Sequence, residues 1–127
     1  MTFLKDGIRW NSDTGNANAS GGTYAVWCWK AGGNSNTFNV DGKGYASASA
    51  AGITDGSIAL TGASVNTEAG FSMVTYTGTN ANGATIAHGL GKVPKWYIVK
   101  RRNSSGAWMV YHAVSYTHLT LPTKRIV

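Results

Sequence analysis

The sequence has little of several residue types that would supply cross-links or chemistry. Among 127 residues there are one cysteine, two prolines and five acidic residues. The single cysteine, Cys28, excludes an internal disulfide and leaves the redox compartment undefined. No apolar run is long enough to cross a membrane, and the residues after Met1 lack the apolar core of a signal peptide. The composition therefore predicts one domain that is not inserted in a membrane and has no secretion signal at this N-terminus.

Glycine and small polar residues are abundant instead. Seventeen glycines, many Asn, Ser and Thr, and few Leu are typical of an all-β protein with tight turns. Residues 70–112 carry most of the period-two alternation expected of strands. The predicted strands are Phe71–Thr77, Ala84–His88, Lys95–Arg101 and Ala107–His112. They predict an antiparallel β-meander or β-sandwich-like fold, and HGLGKVP (88–94) predicts a turn that uses glycines at positive φ.

The N-terminal part predicts further strands. Asp6-Gly7 is a hairpin signal between two short β-like pieces. Thr23–Lys30 (TYAVWCWK) is apolar on both faces, which is typical of a strand buried at the centre of a sheet. We therefore expect its cysteine to be a small core residue. The neighbouring Trp27 and Trp29 are expected to pack in the core rather than to stack on sugars.

Residues 34–69 have few large apolar side chains and are rich in Gly, Asn, Ser and Ala. This composition predicts a loosely packed connector between two better-packed pieces. Within it, Asp41-Gly42 predicts a small hairpin over residues 37–45. Ile58 and Leu60 fit a weak edge strand.

The residues that could carry catalysis or bind a metal are scattered. No G-x-S-x-G and no phosphate-binding G-x-x-x-x-G-K-[ST] sequence occurs. His88 and His112 are far apart, and a histidine beside a glycine turn is expected to hydrogen-bond the backbone rather than a metal. The carboxylates Asp41, Asp55 and Glu68 lie in connectors, with nothing that pairs them as a glycosidase requires. We therefore predict no enzyme activity, no catalytic residue, no metal site and no cofactor.

The formal charge of +6 is compatible with nucleic-acid binding, but its distribution argues against it. The cations are dispersed apart from Lys100-Arg101-Arg102. Three cations at a strand end are typical of a solvated edge protected against strand-to-strand aggregation. A nucleic-acid surface needs a larger basic patch with aromatics on the same face, so nucleic acid is disfavoured as a partner.

The last fourteen residues, 114–127 (VSYTHLTLPTKRIV), join the preceding strands abruptly. They resemble the translation of a transposase adapter from a sequencing library followed by adapter read-through. On this interpretation the native sequence stops near Ala113, and the protein is truncated. Without Lys124 and Arg125, nine cations remain against five anions, a net charge of +4. The tail is therefore given no functional weight.

Four stretches carry a resemblance to known proteins. They are TYAVWCWKAGG, GASVNTEAGFSMVTYTG, HGLGKVPKWYIVKRR and WMVYH, in that order. They resemble an uncharacterised repeat domain in large structural proteins of marine bacteriophages, which are regarded as virion or tail-fibre components. The resemblance implies that the chain spans a junction, with Met1 an internal start. Residues 1–33 would be closing strands of one repeat, 34–69 the connector and 70–113 opening strands of the next.

The same resemblance implies a function. The chain would be a non-enzymatic structural module of a phage virion, part of a tail fibre or another receptor-binding protein. Its partners would be other virion proteins or copies of itself, together with a glycan on the host surface. It would be located in the virion, after assembly in the host cytoplasm.

The alternative is a glycan-binding, lectin-like β-sandwich module of a bacterial adhesin or carbohydrate-active enzyme. Trp10, Trp96 or Trp108 would stack on sugar rings, and Asn and Asp side chains from loops would hold the hydroxyls. A hydrolase is a third hypothesis, and it would depend on Asp55 or Glu68.

Overall fold

The computed structural model describes residues 2–10 and 18–113, which form eight β-strands. The strands are β1 (Thr2–Leu4), β2 (Gly7–Arg9), β3 (Phe38–Val40), β4 (Lys43–Tyr45), β5 (Leu60–Asn66), β6 (Phe71–Tyr76), β7 (Trp96–Lys100) and β8 (Trp108–His112). The all-β prediction is confirmed. Across the described ranges, no helix has the length and apolar character needed to cross a membrane. The tail at 114–127 lies outside the described residues.

The strands form three separate hydrogen-bonded sheets. β1–β2 and β7–β8 are antiparallel hairpins. The third sheet has four strands in the order β4-β3-β5-β6, and its β3–β5 pair is parallel. β6, β7 and β8 confirm three of the four strands predicted in residues 70–112. They do not form one continuous meander, because β6 belongs to the four-stranded sheet while β7 and β8 pair with each other.

The fourth predicted strand, Ala84–His88, is not a strand in the structure. Its polar groups bond to the segment before β5 instead. Ile58 N donates to Thr85 O at 3.0 Å, and Ser57 and Thr85 exchange two backbone-to-side-chain hydrogen bonds of 2.9 Å. These isolated bonds hold the segment in place without a repeating ladder, so the prediction of a strand was wrong here.

The turn after this segment agrees with the prediction from HGLGKVP. Gly89 and Gly91 adopt φ values of 71° and 65°. Leu90 N donates to His88 Nδ1 at 3.1 Å, and Ser72 Oγ donates to the His88 carbonyl oxygen at 2.6 Å. His88 therefore bonds the backbone of its own turn, as expected of a histidine beside glycines.

Hairpins form at both predicted places, and the turn at Asp41-Gly42 is confirmed. In the first hairpin Leu4 pairs with Gly7, so the central residues are Lys5 and Asp6, one position before the predicted Asp6-Gly7 turn. In the β3–β4 hairpin, Val40 pairs with Lys43, so Asp41 and Gly42 are the two central residues. Their φ values are 49° and 84°. Positive φ at both central positions gives the turn type whose twist matches the flanking strands, and Asp-Gly is among its preferred sequences.

The hydrophobic core lies largely in the segment predicted to be a loose connector. Its buried members are Ile53, Ala63, Val65 and Ala87, and Val65 of β5 is fully buried, with 0% of its surface exposed. Partly buried residues pack around them: Phe38, Val40, Ala51, Leu60, Val74 and Leu90. The expectation of loose packing in residues 34–69 was therefore wrong. Small apolar side chains suffice on β5, because β3 and β6 flank it on both sides.

The weak edge strand predicted at Ile58 and Leu60 is also not what the structure has. Leu60 begins β5, which is a central strand and not an edge strand. Ile58 is buried but lies just before the strand. The division of the chain into parts of two repeats, residues 1–33 and 70–113, with residues 34–69 as the connector between them, stays a prediction.

A buried polar network ties the chain before β3 to the four-stranded sheet. Asn39 of β3 is buried, and Ser64 Oγ of β5 donates to its Oδ1 at 2.7 Å. Gly32 N donates to the same Ser64 Oγ at 2.9 Å, and Asn39 Nδ2 donates to Asn36 O at 2.7 Å. A Cβ at Gly32 would overlap the Asn39 side chain, so this close approach requires glycine.

The largest departure from prediction is at residues 23–30. Thr23–Lys30 is not a strand, and every residue in it is exposed. Cys28 is exposed, and Trp27 has 74% of its surface exposed, so the predictions of a central strand and of core packing were wrong. The physical reason is that a strand-forming sequence becomes a strand only where another backbone pairs with it. No described strand pairs with this segment.

Candidate functional site

The β7–β8 hairpin presents two apolar faces set by its register. Directly opposite residues of an antiparallel pair project to the same side, and successive residues alternate. One side, here named the Trp face, holds the pairs Trp96–His112, Ile98–Val110 and Lys100–Trp108. The other side, here named the Tyr face, holds the pairs Tyr97–Tyr111 and Val99–Met109.

Local sequence explains why this hairpin forms. β7 and β8 are rich in aromatic and β-branched residues, which favour strands. Pro94 disfavours a helical conformation at the preceding Val93. In the connection between the strands, Lys100 Nζ donates to Gly106 O, and Arg101 Nε donates to Asn103 Oδ1 at 3.0 Å. The basic residues thus fasten the turn end of the hairpin.

The Trp face combines aromatic rings with positive charge. Lys100 Nζ lies 5.5 Å from the centroid of the Trp108 ring, and 65% of the Trp108 surface is exposed. This is cation–π geometry. At the other end, Trp96 makes an edge contact with the His112 ring, with centroids 6.5 Å apart. The Nδ1 atom of His112 is buried and has no hydrogen-bond partner among the described residues.

The Tyr face is ordered by a cross-strand aromatic pair. The rings of Tyr97 and Tyr111 stack with their centroids 5.1 Å apart and their planes 19° apart. Val99 and Met109 continue this face and are also exposed. Both sides of a two-stranded sheet are therefore apolar and uncovered by the described residues. Exposed apolar patches of this kind mark association sites.

The three tryptophans predicted to contact glycan do not lie together. Trp96 and Trp108 share the Trp face but stand at opposite ends of it, four residues apart along the ladder. At the rise of an antiparallel strand this separation is about 13 Å. Trp10 is half-buried and follows β2 in a different hairpin. The structure thus brings two of the three to one surface.

A second exposed apolar feature was missed by reasoning from the sequence. Residues 23–30 expose Tyr24, Val26, Trp27 and Trp29. Trp29 stacks on Phe71 with centroids 5.8 Å apart, which holds one end of the segment against β6. The signal was present in the sequence, because a segment apolar on both faces needs a partner on both sides. From the sequence alone, the predicted partner is the chain's own core.

A polar cleft of 420 Å³ lies beside the β3–β4 turn. Lys30, Asp41 and Glu68 line it. Hydrogen bonds from Thr67 lower the pKa of Asp41 below its ordinary value, since they stabilise the carboxylate. Throughout the described ranges, no group of three or more His, Cys, Asp or Glu is placed to hold a metal ion.

Comparison with known proteins gives one result. The family model of DUF7483, described as a domain of unknown function, matches residues 1–125. The matched range takes in all eight strands and continues into the segment after Ala113. No curated protein and no solved structure matches the chain.

Proposed function

The chain belongs to the DUF7483 family, a domain of unknown function, and we propose that it is a non-enzymatic structural module of a phage virion. The module would form part of a tail fibre or another receptor-binding protein. The observation that carries the proposal is the β7–β8 hairpin, which exposes apolar side chains on both of its faces.

A hairpin of this kind is built for association. An isolated two-stranded sheet is at best marginally stable in water, so its faces gain most from being covered by another protein surface. Fibre modules meet such surfaces in neighbouring virion proteins or in further copies of themselves. The phage assignment is supported by the stretches that resemble marine phage structural proteins, two of which supply β7 and β8.

The test is to sequence the source DNA through and beyond the codons for His112. We expect the reading frame to continue into another β-rich repeat, in place of residues 114–127, with tail or capsid genes on either side. A frame that stops at Val127, with no virion genes around it, would contradict the proposal. The location in the virion is tested by the same gene neighbourhood.

Glycan binding is a second candidate, favoured by the Trp face. Trp96 and Trp108 are 49% and 65% exposed on one surface, and the Lys100 ammonium beside Trp108 can donate to a hydroxyl or attract an acidic sugar. Aromatic faces that bind sugars are usually joined by a few such polar groups. Trp10 would act from a separate surface.

Fluorescence titration with polysaccharide from a marine bacterial isolate tests this second candidate. We expect quenching that is lost in Trp108→Ala and reduced in Trp96→Ala. The matched control is Trp27→Ala, since Trp27 is also exposed but lies outside the hairpin. If no polysaccharide quenches, or if the control loses binding equally, the Trp face is not a glycan site.

A further inference from the structure

We propose that residues 23–30 of one copy of the chain add as an antiparallel edge strand to β7 of a second copy. This inference goes beyond the proposed function and does not depend on the phage assignment. It rests on two parts of the chain, residues 23–30 and the outer edge of β7. Both have the sequence of paired strands, and neither has a strand partner there among the described residues.

The donor segment has the sequence of a strand without the pairing of one. Within residues 2–10 and 18–113, the backbone of residues 23–29 makes no hydrogen bond to other backbone groups. Its aromatic and β-branched side chains favour an extended, paired backbone. At its C-terminal end, the Trp29–Phe71 stack and a 3.2 Å bond from Asn66 Nδ2 to Lys30 O hold it to the four-stranded sheet.

The acceptor edge follows from the phase of the β7–β8 ladder. Ala113 N donates to Lys95 O at 2.9 Å, so Lys95 and Ala113 form a hydrogen-bonded pair. Hydrogen-bonded and non-hydrogen-bonded pairs alternate along an antiparallel ladder. Trp96, Ile98 and Lys100 therefore direct their N–H and C=O groups away from β8, toward an edge where no described strand pairs.

Pairing would stabilise both the donor segment and the β7–β8 hairpin. Strand addition supplies main-chain hydrogen bonds, and the alternate side chains of the added strand lie beside those of the edge strand. It also converts the hairpin to three strands, the number at which a sheet with an apolar face becomes independently stable. Residues 24–29 are uncharged and would lie along the uncharged Trp96–Val99.

Charge selects the antiparallel direction. Cations at a strand end oppose edge pairing where they meet another positive charge. In an antiparallel arrangement, Lys30 lies toward the Trp96 end of β7, where the neighbouring cation is Lys95 alone, and away from the three cations Lys100-Arg101-Arg102. A parallel arrangement would bring Lys30 to that basic cluster.

The partner is a second copy because the donor is already held within its own chain. The Trp29–Phe71 stack anchors the segment to β6, and no hydrogen bond or ring contact within the described residues joins the segment to β7 or β8 of the same copy. Each copy then carries one donor and one acceptor. A heterologous contact of this kind propagates from copy to copy unless its rotation closes a ring.

Disulfide trapping in a mixture of two full-length chains tests the proposal. The wild-type chain supplies Cys28, its only cysteine. The second chain is Cys28→Ser/Ile98→Cys, whose cysteine lies on the acceptor edge. Because the proposal does not fix the register, the same trap is also made at Trp96 and at Lys100. We expect a mixed disulfide dimer on mild oxidation, and none with the matched control Cys28→Ser/Ser105→Cys, whose exposed cysteine lies in the β7–β8 connection.

Three results would overturn the proposal. Absence of mixed dimer at all three edge positions would exclude the contact. Equal trapping by the Ser105→Cys control would show random collision. An intramolecular disulfide in Ile98→Cys with Cys28 retained would place the segment on its own hairpin.

A second measurement does not depend on cysteine chemistry. Successive N–H groups of a strand point to opposite edges, so either Val26→Pro or Trp27→Pro removes a donor that faces β7 in any register, while Val26→Ala and Trp27→Ala keep both donors. We expect sedimentation velocity to show concentration-dependent association of the wild type and both alanine variants, and its loss in at least one of the two proline variants. A wild type that stays monomeric at all concentrations would contradict the proposal.

Discussion

The Asp41 carboxylate accepts two hydrogen bonds from Thr67, one from the backbone N at 2.8 Å and one from Oγ1 at 2.6 Å. Asp41 is in the β3–β4 turn, and Thr67 is in the turn between β5 and β6. A single side chain thus joins the two turns at one end of the four-stranded sheet. Asp41 N also donates to Val65 O at 2.9 Å, which fixes the turn against the central strand.

This pair predicts a pH dependence of stability. The hydrogen bonds from Thr67 lower the folded-state pKa of Asp41, so the stabilisation is present above the unfolded pKa of 3.8. It is lost as pH falls from there through the lower folded pKa. We expect Asp41→Asn to be less stable than wild type at neutral pH and to show a smaller loss below pH about 4. Urea unfolding across pH measures this, with Asp55→Asn as the control carboxylate. Equal pH profiles for Asp41→Asn and wild type would count against the link.

The close approach at Gly56 predicts a costly substitution. A Cβ at Gly56 would lie 2.6 Å from Ala87 N and 2.9 Å from Thr85 O, both backbone atoms that cannot turn away. We expect Gly56→Ala to lower the free energy of unfolding by about 1–3 kcal/mol. Gly78→Ala is the control, since a Cβ there meets nothing within 4 Å. Thermal unfolding of both variants gives the comparison, and a neutral Gly56→Ala would refute the packing described.

The Asn39–Ser64 hydrogen bond predicts that two hydroxyls of the same strand contribute differently to the free energy of unfolding. Ser64→Ala removes the donor to buried Asn39 and the acceptor of Gly32 N, and we expect a loss of about 1–3 kcal/mol in unfolding free energy. Thr61→Ala removes an exposed hydroxyl of β5 and should change stability by less than about 0.5 kcal/mol. Chemical denaturation distinguishes them. The network is not stabilising if the two losses are equal.

The exposure of Cys28 predicts its reactivity. In dilute native protein we expect this thiol to react with a maleimide or Ellman's reagent at a rate close to that in denaturant, because it is exposed. The core position expected from the sequence would instead give strong protection. Stopped-flow labelling at a fixed pH decides between them, with the reaction in denaturant as the reference rate.

Local patterns were enough to predict much of the fold. Asp41-Gly42 located one hairpin turn, Asp6-Gly7 located another to within one position, and alternation located β6, β7 and β8. Turn type and side-chain alternation are properties of a few adjacent residues, so the sequence carries them directly.

Pairing could not be predicted, because it joins residues far apart in the chain. Thr23–Lys30 has the best strand sequence but no described strand partner, while β5 has a weak strand sequence and two neighbours. In the candidate site, too, the local pattern could be predicted from the sequence and the strand pairing could not. Alternation placed Trp96 on one face of β7 and Trp108 on one face of β8. Only the register, Trp96 opposite His112, shows that these two faces are the same surface.

The parallel β3–β5 pair has a kinetic consequence. β5 meets β6 across a turn of only four residues, 67–70, whereas the β3–β5 contact between Asn39 and Ser64 spans 25 positions of the chain. Closing the longer loop costs more entropy, so we expect the β5–β6 hairpin to form first and β3 to dock on it later. Until it docks, one edge of β5 and the apolar side of Val65 are open to water. We therefore expect the arrival of β3 to be the slow, aggregation-exposed step in the folding of this domain.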